Sequence, residues 1–209
     1  MRNLPRLIVI LYAAMNLSTE MVRAQVYSVN AVGYINVAIQ PGVNLIGLQL
    51  DSANRTVASL FTDMPEGSTI QKIVDTAYTT NLYQNGQWER PDETLSVGEG
   101  VLVINPSVQA KVVTFVGAVL QGDLTNSIPA GLSIRCSLTP IAGKLTATLG
   151  LKLSAFDNVY LNTNNTLKVF TFLPDGHWQS FEPSVPVAGS FIINAEAATN
   201  WITHFELNL

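Results

Sequence analysis

The chain has one cysteine, Cys136, and two histidines, His177 and His204. A single thiol excludes an intrachain disulfide and a multi-cysteine metal site. Neither histidine has a second His or Cys at ligand spacing, which argues against zinc. Charge is scarce too: 12% of residues are charged, with 11 Lys and Arg against 15 Asp and Glu. No basic run occurs, so the chain lacks the footprint that draws proteins to nucleic acid or anionic membranes. The apolar run Leu7 to Ala14 is short of the ~20 residues that span a bilayer. Phosphate loops and Gly-x-Ser-x-Gly elbows are also missing, and Gly98-Glu99-Gly100 has neither the third glycine nor the helix of a dinucleotide fingerprint. No cofactor is expected.

What is present is apolar residues, 47% of a chain of 209, enough for a substantial core. At the N-terminus, Arg2 and Arg6 precede that short apolar run, and a polar stretch ends in Val22-Arg23-Ala24. This order of a basic region, a short apolar region and a small-x-small site predicts a secretory signal peptide over residues 1–24. Its loss would remove three arginines and Glu20, leaving a more acidic chain exported to the periplasm, cell surface or medium, with no integral membrane segment.

The rest repeats itself. Pro41-Gly42-Val43-Asn44-Leu45-Ile46 returns 89 residues later as Ala130-Gly131-Leu132-Ser133-Ile134-Arg135, and Gly33, Ala58 and Leu60 return as Gly122, Ala147 and Leu149. At a shift of 90, Gly86, Trp88, Val97, Val101 and Phe115 map onto Gly176, Trp178, Val187, Phe191 and Phe205. The spacing predicts an internal duplication, with one β-rich repeat over 25–119 and a second over 120–209. Each half shows alternating strands, a short helical turn (Val57, Leu60, Phe61; Leu145, Leu149) and a hairpin at Asn85-Gly86 or Asp175-Gly176, dipeptides suited to type I′ turns. Solidly apolar strands, Val101 to Ile104 and Phe191 to Ile193, are expected to be buried on both faces. Cys136 alternates in phase with Leu132, Ile134 and Leu138 and is expected to be buried as a small hydrophobe. No flexible linker separates the halves. The segment 112–119 can serve as the last strand of one half and the first of the next. The expected fold is all-β: two tandem pseudo-symmetric sandwich- or barrel-like units, each with one short helical turn, packed together.

The run Pro41-Gly42-Val43-Asn44-Leu45-Ile46-Gly47-Leu48, then Trp88, then Leu95-Ser96-Val97-Gly98-Glu99-Gly100-Val101-Leu102-Val103 resembles a β-rich module of bacterial secreted and cell-surface proteins. In that family a "GWNLI" strand is followed by a "PGEGFWV"-like turn and strand. The resemblance covers both halves and implies an accessory or surface module rather than a catalyst. Val43 stands where the family often has Trp, and the second half keeps only Gly189 of Gly-Glu-Gly.

Three functions are compatible with the residues. A non-catalytic structural or interaction protein, with a protein or polysaccharide as partner, is the favoured expectation. A carbohydrate-binding module would stack sugars on Trp88 and Trp178, with Tyr83 across the first hairpin; packing that fixes hairpin register competes with that role. A hydrolase would draw on Glu89, Asp92, Glu93 and Glu99, since two carboxylates at suitable separation can cleave a glycoside; ordinary solvated loop acids compete with that one.

Overall fold

A computed structural model describes residues 31–207, and the signal-peptide assignment for residues 1–24 lies outside the described residues. The described residues are all-β, built of antiparallel sheets, none of which closes into a barrel. The first half contains β1 (Val32–Ile39), β2 (Gly42–Gly47), the helical turn α1 (Val57–Leu60), β3 (Thr69–Val74), β4 (Ala77–Gln84), β5 (Gln87–Trp88), β6 (Gly100–Asn105) and β7 (Lys111–Ala118). The second contains β8 (Gly122–Ile128), β9 (Gly131–Arg135), β10 (Gly143–Lys144), β11 (Asn158–Thr163), β12 (Thr166–Thr171), β13 (Ser184–Val185), β14 (Phe191–Ala195) and β15 (Thr199–Phe205).

The halves use the same strand order. One sheet runs β2-β6-β3-β4-β5 and the other β9-β14-β11-β12, while β1 pairs with β7 and β8 with β15 as two-stranded ribbons. The segment 112–119 is therefore not shared: β7 belongs to β1, and β8 finds its own partner in β15. The pairing also moves one sequence correspondence. Phe115 lies opposite Ile35, but Phe205 lies opposite Gly122, the counterpart of Gly33. The cause is the connection between β14 and β15, two residues shorter than that between β6 and β7. By strand register, Val113 matches Trp201, and both are buried.

Strand alternation sorts side chains between layers. Val101 and Val103 of β6 join Ile46, Ile70, Phe61, Phe115 and Trp88 in a core under the β1/β7 ribbon. Leu102 of the same strand faces the other way and meets Leu45, Ile134 and Ile192 in a central layer between the two sheets. Beyond it, Phe191 and Ile193 pack with Leu145, Val159 and Trp201 under the second ribbon. The apolar runs of β6 and β14 thus serve two cores each, as expected of strands covered on both faces.

Turns follow local chemistry. Asn85 and Gly86 both have positive φ (54° and 76°), and the strands on either side pair directly, as a type I′ hairpin requires. The equivalent Asp175-Gly176 does not form that turn. Pro174 fixes its own φ near −65°, the Gly176 amide donates to the Leu173 carbonyl, and only Gly176 is left-handed, so the loop is longer and bulged. The helical turn differs as well. Thr56 caps α1 through its hydroxyl, whereas residues 145–149 form hydrogen-bonded turns, with the Thr148 and Leu149 amides both donating to the Lys144 carbonyl.

Candidate functional site

The sheets meet along a seam built of reciprocal pairs. The Gly47 amide donates to the Ala188 carbonyl at 2.8 Å, and the Cys136 amide donates to the Gly98 carbonyl at 3.0 Å. Gly47 and Cys136 are 89 residues apart; Gly98 and Ala188 are 90 apart. Ile46 bridges Gly189, and Glu99 bridges Arg135, again with partners exchanged at the same spacings. Such i-to-j and j-to-i contacts are what a twofold interface produces. Gly98 and Ala188 both adopt positive φ (87° and 57°), so the two loops enter the seam in the same backbone conformation. For the non-glycine Ala188 this is a costly state. Its amide is secured by Gln49 Oε1 at 2.7 Å.

Beside this seam lies a groove of about 370 Å³, within the usual range for ligand clefts. Asn36, Val37 and Ala38 of β1 and residues 44–46 of β2 form one side; Leu161 and Asn162 of β11 and residues 184–190 form the other. Among the described residues no charged side chain lines it. The equivalent positions across the pseudo-twofold are chemically different. Leu161, Gly189 and Ile46 correspond to Lys72, Glu99 and Arg135. Lys72 and Glu99 form an ion pair of 2.8 Å. Burial pulls the Arg135 guanidinium below its ordinary pKa, an effect that the nearby Glu99 carboxylate opposes. One side of the seam is uncharged and the other is charged.

The residues singled out in the sequence are dispersed. Trp88 is 3% exposed, and its indole N–H donates to the Phe61 carbonyl at 2.9 Å. Tyr83 meets it edge-on at 5.1 Å, so both rings belong to the first core. Trp178 packs partly buried against the second core, with Phe172 at 5.5 Å. The two tryptophans do not share a groove. Among the acids, Glu93 accepts from Asn81 and pairs with Arg90, Glu99 pairs with Lys72 and accepts from the Ser96 amide, and Glu89 accepts from Gln84. Asp92 is exposed. They do not converge on one cleft. His177 lies at its hairpin beside Asp175, and His204 pairs with Asp123 at 2.7 Å on the second ribbon.

Cys136 is fully buried, and burial pushes its thiol well above the ordinary value, so it packs as a hydrophobe. Among the described residues no helix is long and apolar enough to cross a membrane, and no His, Cys, Asp and Glu group has metal-binding geometry.

No family model, curated protein or solved structure matches this chain.

Sequence reasoning missed the groove residues Asn36, Ala38, Asn162 and 184–190. The signal that could have pointed to them is the absence of charge throughout Val32–Ile39 in a strand with exposed side chains.

Proposed function

We propose that this is an exported, non-catalytic β scaffold, made by duplication, that holds a partner in the uncharged groove beside its seam. The carrying observation is the pairing of reciprocal main-chain contacts with an asymmetric lining. Both halves keep the contacts that join them, and beside the join Lys72, Glu99 and Arg135 of one side give way to Leu161, Gly189 and Ile46 on the other. A change from charged to uncharged lining at such a place suits recognition, whereas the shared positions are turns and core. The resemblance to modules of bacterial surface proteins is in keeping with this role. The burial of Trp88 and the separation of Trp88 from Trp178 favour packing over sugar stacking for those rings.

The test is a binding screen against neutral polysaccharides and extracellular proteins, using wild type and Val187→Arg. That substitution places a guanidinium in the groove wall at a partly exposed position. The expected result is a ligand retained by wild type, lost from V187R and recovered with unchanged mass. Conversion of any panel member to products would overturn the non-catalytic reading.

A further inference from the structure

The first half treats its outer strand edges differently. The outward main-chain groups of β2 are covered by the second half. The Val43 amide donates to Asn165 Oδ1, Asn162 Nδ2 donates to the Val43 carbonyl, the Ser190 amide donates to the Leu45 carbonyl, and the Gly47 amide donates to Ala188. The outer edge of β7 is covered at one end, where Ala118 exchanges main-chain bonds with Asp51 and the Ser52 hydroxyl donates to the Val116 carbonyl. Along the outer edge of β1, no described residue supplies such cover.

Because the Ala31 carbonyl accepts from the Val119 amide, odd-numbered residues of β1 bond to β7. Antiparallel pairing then turns the N–H and C=O groups of Val32, Tyr34, Asn36 and Ala38 away from β7. Among the described residues no group bonds to them. At Asn36 and Ala38 this edge forms a wall of the groove. Proteins usually guard such an edge with charge. The matching ribbon does so with Asp123, paired to His204, but β1 has no charged residue, and Val32 and Tyr34 are 68% and 73% exposed.

We propose that the free edge of β1 accepts an extended, uncharged peptide segment of a partner protein as an added strand, with side chains seated in the groove. This rests on the interaction role above. N–H and C=O groups repeating every second residue, roughly 6.8 Å apart, are matched by another strand, and sugar hydroxyls do not keep that repeat. The uncharged lining selects against acidic or basic side chains, whose desolvation would go uncompensated. Strand addition of this kind takes affinity from main-chain bonds and specificity from pockets for alternate side chains.

The probe is a blocked octapeptide of alternating threonine and valine, compared with the same peptide N-methylated at alternate residues and with cellohexaose. Amide exchange and ¹⁵N–¹H spectra of the full protein are the readout. In the free protein the amides of Tyr34, Asn36 and Ala38 should exchange freely while those of Ile35 and Val37 are protected. Millimolar octapeptide should slow the even-numbered set at least tenfold, and the N-methylated peptide should not. Ala38→Pro removes one outward N–H at an edge position where proline is tolerated. It should weaken peptide binding about tenfold while exchange at Ile46 and Val103 stays unchanged. No protection at millimolar peptide, equal protection by the methylated peptide, or full binding by A38P overturns the proposal. So does edge protection that rises with protein concentration alone, which would assign the edge to a second copy. If cellohexaose binds in a V187R-sensitive manner and the peptide does not, only this proposal falls; if neither ligand, nor any member of the wider screen, binds, both readings fall.

Discussion

Gly47 and Cys136 meet across the seam so closely that a β-carbon built on Gly47 would overlap Cys136 Cβ. The contact is tied down by main-chain bonds from both residues to the loops at Ala188 and Gly98, so neither strand can simply withdraw. Gly47→Ala should therefore destabilise the protein by about 1–3 kcal/mol, the usual range for overpacking. Cys136→Gly in the same chain should restore part of that loss, because it removes the β-carbon that collides. Urea denaturation of the four members of this cycle measures the coupling. Additive single effects would show that the two positions do not act on one another.

The Cys136 thiol should be inert in the folded protein. Its burial disfavours the thiolate, which is the reactive form. An aromatic disulfide reagent at pH 8 should label it only as fast as the protein unfolds, and immediately in denaturant. Rapid labelling of native protein would contradict the packing described.

The two hairpin tryptophans should differ in what their removal costs. Trp88→Ala empties a buried site and leaves the Phe61 carbonyl without its donor, so a loss of about 3–5 kcal/mol is expected. Trp178→Ala should cost less, since its ring is only partly buried. Thermal and urea unfolding of both variants check the order.

Two groups carry pH dependence of opposite sign. A hydrogen bond to Asp123 raises the His204 pKa, with desolvation opposing it. Its stabilising contact is fully present below the unfolded value of about 6.5 and fades as pH rises through the higher folded value. Asp123→Asn should bring the His204 midpoint down in an NMR titration. For Glu182, desolvation works to raise the pKa, but bonds from the Thr146 hydroxyl and the Thr146 and Ala147 amides prevail and lower it. Its contribution holds above the unfolded value of about 4.3 and is lost as pH falls through the lower folded value. Glu182→Gln should flatten the acid limb of the stability curve.

Much of this fold is legible in the sequence because strand alternation and turn dipeptides act locally. The run Val101 to Ile104 announces burial on both faces, and Asn85-Gly86 announces its turn. The hairpins at Asp75-Thr76 and Asn164-Asn165 carry no glycine, yet all four residues have positive φ; Asp and Asn tolerate that conformation, and at β-branched Thr76 pairing of the flanking strands imposes what local preference would not. At Asp175-Gly176 a neighbouring proline outweighed the dipeptide. The two-residue shift of β15 depends on one connection length, invisible until the strands pair. The groove was least legible. Its walls come from β1, β2, β11 and residues 184–190, and what makes it a site is a main-chain edge, which no side-chain motif records.

The reciprocal bonds of the seam should make the two halves unfold as one cooperative structure. The three tryptophans allow a direct measurement, since Trp88 reports the first core while Trp178 and Trp201 report the second. Urea unfolding followed by fluorescence in Trp88→Phe, and in the Trp178→Phe/Trp201→Phe double variant, would watch each half separately, each referenced to circular dichroism of the same protein. Within each variant the fluorescence and dichroism transitions should coincide in midpoint and slope. One half unfolding ahead of the other, with a plateau between, would show that the seam does not couple them.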